Sequence, residues 1–79
     1  MADNNMVNKR LTNALDAMVC VDRYKVYKAF NDLLKQSESQ KAWELLNDAA
    51  HEAIVNGTWV DIHSRGRFWY EMAQAARLL

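Results

Sequence analysis

The sequence predicts an all-α fold, a small single-domain bundle of three to four helices, on three observations. Its 79 residues include no proline, and the first of only two glycines comes at position 57, so no strong breaker interrupts helix over the first two thirds. Apolar residues recur at three- and four-residue spacing through four separate stretches, the period of an amphipathic helix. Apolar residues make up 51% and charged residues 25%, a globular rather than disordered balance.

Each element follows from its own pattern. Asp3, Asn4 or Asn5 can cap a first helix by accepting a free backbone N–H. From there Val7, Leu11, Ala14, Leu15 and Met18 form one stripe, with Lys9, Asn13 and Asp16 on the other side. A turn or kink is expected around Cys20 to Asp22, with Asp22 as the next cap. The junction holds no true breaker, so one helix from Asn5 to Gln36 is the alternative. Helix two turns Val26, Phe30, Leu33 and Leu34 inward, with Lys25, Lys28, Lys35 and Tyr24 outward, and runs to about Gln36. Ser37 and Gln40 fit a capping box for helix three. Its inner face is Ala42, Leu45, Leu46, Ala49, Ala50 and Ala53, with Trp43 and Ile54 at the edge of the core. Asn56-Gly57 ends that helix, because glycine takes the left-handed closing conformation without strain.

The stretch 57–66 is expected to be an irregular connector. Within it, 58–63 reads either as a short strand or as a helical turn capped by Thr58 and Asp61. The helical turn is favoured, since an isolated hairpin is only marginally stable. A last helix is expected from Ser64 or Gly66, burying Phe68, Met72, Ala75, Ala76 and Leu79.

Several classes of function find little support. The formal net charge is zero, from ten basic and ten acidic side chains, which disfavours a protein that works by wrapping nucleic acid. The single cysteine, Cys20, cannot form an internal disulfide, and its neighbours Val19 and Val21 suggest a buried reduced thiol. Neither a signal-peptide pattern nor a membrane-spanning apolar run occurs, so a cytoplasmic protein is expected. Asp48 and His51 have the spacing of half a carboxylate–histidine ligand pair, but His63 is the only other histidine and no four-ligand set can be written. There is no glycine-rich phosphate loop, and nothing around Cys20, His51 or His63 resembles an oxyanion site. The expectation is a non-enzyme with no metal and no cofactor.

What remains is surface. With Phe68 turned inward at about 100° per residue, Trp69 falls on the flank and Tyr70 nearly opposite. Arg67, Tyr70, Gln74 and Arg77 then share the outer face, and arginine and tyrosine are residues that anchor interfaces. Glu44, Asp48 and Glu52 form an acidic stripe on helix three, which either lies beside the basic helix two or meets a basic region of a partner. These eight residues, Trp69 included, are the candidate partner-binding set. The expected function is stoichiometric binding to a larger intracellular protein, as adaptor, regulator or inhibitor; phage- and plasmid-encoded inhibitors are one population of such proteins. A homodimer burying the same patch is the structural rival. The functional alternative is a nucleic-acid-binding, helix-turn-helix-like regulator using His63, Arg65, Arg67, Trp69 and Tyr70, which combine positive charge with stacking surfaces.

Overall fold

A computed structural model describes residues 4–20 and 23–79. Four helices follow in order: α1 (Asn4–Ala17), α2 (Arg23–Lys35), α3 (Ser39–Val55) and α4 (Ile62–Leu78). Among the described residues there is no strand. Short connectors make successive helices antiparallel, and the long-range bonds agree. The Ser39 hydroxyl near the start of α3 donates to Asn8 Oδ1 near the start of α1 (2.9 Å). Arg10 and Asn13 of α1 both reach Glu71 in the middle of α4. The pairing is uneven: α1 packs most extensively on α4 and α2 on α3, while contact between α3 and α4 is sparser. The resulting body measures 38 × 22 × 16 Å.

The core is the set of inner stripes. Val7, Leu11, Ala14, Leu15 and Met18 of the first stretch are all buried, as are Phe30, Ala42, Leu46, Ala50, Ala53, Phe68, Met72 and Ala75. Val26, Leu33, Leu34, Leu45, Ala49, Trp43 and Ile54 pack against them half-buried. Ala42, Ala50 and Ala53 of α3 are fully buried and keep those positions of its inner face low. The Trp43 indole adds a tie, its N–H donating to the Met72 carbonyl at 2.9 Å.

Two helices end in the same way. At the end of α3 the Gly57 N–H donates to Ile54 O (3.2 Å) and the Thr58 N–H to Ala53 O (2.9 Å), with Gly57 at φ 73°. At the end of α2 the Ser37 N–H donates to Leu34 O (3.1 Å) and the Glu38 N–H to Leu33 O (2.8 Å). Both are Schellman closures, and the second places Ser37 at φ 58°. Ser37 therefore ends α2 instead of starting α3. The expected Ser37–Gln40 capping box does not form: Glu38 occupies the N-cap of α3 with no side-chain cap bond, and Gln40 Nε2 donates to Glu44 instead (3.4 Å).

The expected break between the first two helices is present, and other boundaries are corrected. α1 and α2 are separate helices, joined through turns that bond Met18 N–H to Leu15 O and Arg23 N–H to Cys20 O. Asn4 and Asn5 are themselves helical, so neither is the first cap; Asp3, Val21 and the Asp22 cap lie outside the described residues. Val19 is 54% exposed and Cys20 half-buried, because the chain leaves the helix after Ala17 and the core stripe stops at Met18. At the other end of the chain, Ala76 and Leu79 are exposed rather than buried.

The favoured helical turn at 58–63 is also absent. Residues 58–61 carry no regular structure, and the Thr58 hydroxyl donates back to Ala53 O (3.2 Å) rather than capping forward. α4 starts at Ile62, so Gly66 lies inside the helix and the irregular connector is shorter than expected. Asp61 is the cap, its Oδ1 accepting the His63 N–H (3.0 Å) and the Ser64 N–H (3.4 Å). The Ser64 hydroxyl donates to the Asp61 carbonyl (3.0 Å) and accepts the Trp59 indole N–H (2.8 Å). Trp59 is 1% exposed, its ring edge-on to Phe68 at 5.2 Å. Burying that indole fixes where the chain re-enters helix, and its polar N–H is satisfied by the first turn it leads into.

Candidate functional site

α4 has two faces of different character. Ser64, Phe68, Met72 and Ala75 turn to the core and are buried. Nearly opposite, Ile62, Gly66, Tyr70, Ala73 and Arg77 are all exposed, and their spacing of four, four, three and four residues places them on one stripe. Ile62 is 77% exposed and Tyr70 56%. Among the described residues no other helix is packed over this stripe.

Between this stripe and α1 the surface is concave. A groove of about 640 Å³ is lined by Asn13, Asp16 and Ala17 of α1 with Gly66, Arg67, Tyr70 and Glu71 of α4. Two of its lining residues, Gly66 and Ala17, have little or no side chain. A second depression of about 310 Å³, lined by Met6, Arg10, Gln74, Arg77 and Leu78, continues along the same seam. The Arg10–Glu71 ion pair at 3.1 Å, with Asn13 Nδ2 donating to the same carboxylate at 3.3 Å, separates the two concavities and pins α1 to α4. Glu71 has a side chain only 16% exposed, so this pair is worth more than a freely solvated one.

Sequence reasoning grouped eight residues, and the structure divides them. Arg67 and Tyr70 line the larger groove, and Gln74 and Arg77 line the smaller. Trp69 lies elsewhere: it is half-buried on the α3 flank, its ring edge-on to Phe68 at 4.8 Å and 5.5 Å from the ring of His51. Glu44, Asp48 and Glu52 are exposed on α3, outside both concavities. Among the described residues no ion pair involves any of the three, so the basic residues of α2 do not neutralise them by contact.

The basic residues of α4 are also unpaired. Among the described residues, Arg65, Arg67 and Arg77 make no ion pair, whereas Arg10 and Arg23 each have an acidic partner. Asn13, Asp16 and Gly66 were not in the sequence-derived set. The wheel of α4 alone could not supply the two α1 residues, and Gly66 stands where the sequence leaves connector and helix start open. No helix of the described residues is long and apolar enough to cross a membrane. Compared with family models, with curated proteins and with solved structures, the chain matches none.

Proposed function

We propose that this chain is a non-catalytic protein-binding module that acts stoichiometrically on a larger intracellular protein, as adaptor, regulator or inhibitor. The observation that carries the reading is the outward face of α4. A half-exposed tyrosine stands between two unpaired arginines along a concave seam, which is the composition and shape of an interface anchor. Such a face costs the free protein little, and burying Tyr70 and pairing Arg67 and Arg77 would supply directional contacts on binding.

The nucleic-acid reading has weaker support. Trp69, which stacking would need, is half-buried beside His51 and Phe68.

The test is a nuclease-treated pull-down from native lysate with the parent chain and with Tyr70→Ala/Arg77→Ala. Both positions are exposed, so the double variant should keep its helicity, with stability changed by no more than about 0.5 kcal/mol per site. A discrete protein band that survives nuclease and is lost with the variant supports the reading. Capture that vanishes with nuclease transfers the assignment to nucleic acid.

A further inference from the structure

Gly66 is a helix-interior glycine that the folded chain does not use. Only Gly57 of the two glycines has positive φ, so no left-handed conformation requires Gly66. A Cβ built there would meet nothing within 4 Å, so no close packing inside the protein requires it either. Relative to alanine such a glycine weakens the helix. What it leaves is bare backbone on the outermost line of α4, where another backbone can approach closely.

The stripe around it has the dimensions of a helix contact. Ile62 to Arg77 spans roughly 22 Å at about 1.5 Å per residue, four turns rather than one side-chain pocket. Large Ile62 and Tyr70 alternate with small Gly66 and Ala73, the relief that lets a second helix seat its ridge. Charge selects the occupant. Arg77 stands on the stripe and Arg65 and Arg67 flank it, all three without an ion pair among the described residues, while Glu71 is held by Arg10 and Asp16 by Arg23. A second copy laying its own α4 here would bring like charges together, whereas carboxylates would pair with the arginines.

Building on the protein-binding reading, we infer that the partner presents an amphipathic helix with acidic flanks, crossing α4 at Gly66. The test is a display library of helical peptides selected against the intact chain, then measured against Gly66→Leu and against Arg67→Glu/Arg77→Glu. Enriched peptides carry Asp or Glu beside an apolar stripe. Their affinity falls about tenfold or more with either variant, the size of losing one good anchor. Gly66→Leu melts no lower than the parent, so its loss of binding is not unfolding. Enrichment of basic or non-helical peptides, no enrichment, or undiminished binding by Gly66→Leu overturns the inference. So does a dimer in sedimentation that Gly66→Leu abolishes, since the face then belongs to a second copy. If the pull-down result stands while the library selects other peptides, only the acidic helix fails; if the pull-down loses nothing with Tyr70→Ala/Arg77→Ala, the binding face itself fails.

Discussion

The two glycines stand on either side of the start of α4, and they have equal room and opposite roles. At neither would an added Cβ come within 4 Å of an atom beyond its chain neighbours and the local helix backbone. Gly57 is left-handed at φ 73° and closes α3; Gly66 is ordinary helix inside α4. The difference is therefore one of backbone conformation and not of space. A residue needed by the fold reveals itself by a conformation that others adopt only under strain. One the fold could improve on, placed on an open face, points outward to what the face meets.

The substitutions that test this contrast range from large to small. Trp59→Ala, in the connector that Gly57 opens, should have the greatest effect, a loss of about 3–5 kcal/mol from removing a fully buried aromatic. Urea unfolding would measure it; a loss near zero would mean that the connector is not anchored by that ring. Gly57→Ala should lose about 1–2 kcal/mol, the cost of a left-handed L-residue. Gly66→Ala should gain about 1 kcal/mol, raising the melting temperature by about 4–8 °C in a domain of this size. Equal signs at the two glycines would break the comparison. Ser37→Gly should gain roughly 0.5–1 kcal/mol, since Ser37 adopts at φ 58° the conformation that Gly57 adopts freely. No gain there would mean that the serine is compensated locally.

These positions also show how much was legible beforehand. The Schellman end at Asn56-Gly57 could be read from the chain because glycine announces its conformation. The identical end at Ser37 could not, since Ser-x-x-Gln reads more naturally as a helix start. The inner stripes of α1 and α3 were legible because several turns of consistent spacing leave one answer. In α4 the same spacing ran on too far. Ala76 and Leu79 continue the pattern but are exposed, although Ala75 is fully buried. Of the candidate site, the outward placing of Arg67, Tyr70 and Arg77 follows from the wheel of one helix. Asn13 and Asp16 line the groove only because α1 packs beside α4, and Trp69 lies outside it, against His51 and Phe68.

The sequence by itself thus determined the all-α class, a count of three to four helices, the core faces of α1 and α3, and the glycine end of α3. These depend on local terms: turn-by-turn periodicity, backbone strain and the absence of proline. The tertiary structure alone decided that Trp59 is buried, that α4 begins at Ile62, that Ser37 turns left-handed, and that α1 and α4 enclose a groove. Each of these depends on which surfaces meet. An indole is driven inward only if a neighbouring ring and a hydroxyl are there to receive it, and a groove exists only between two helices.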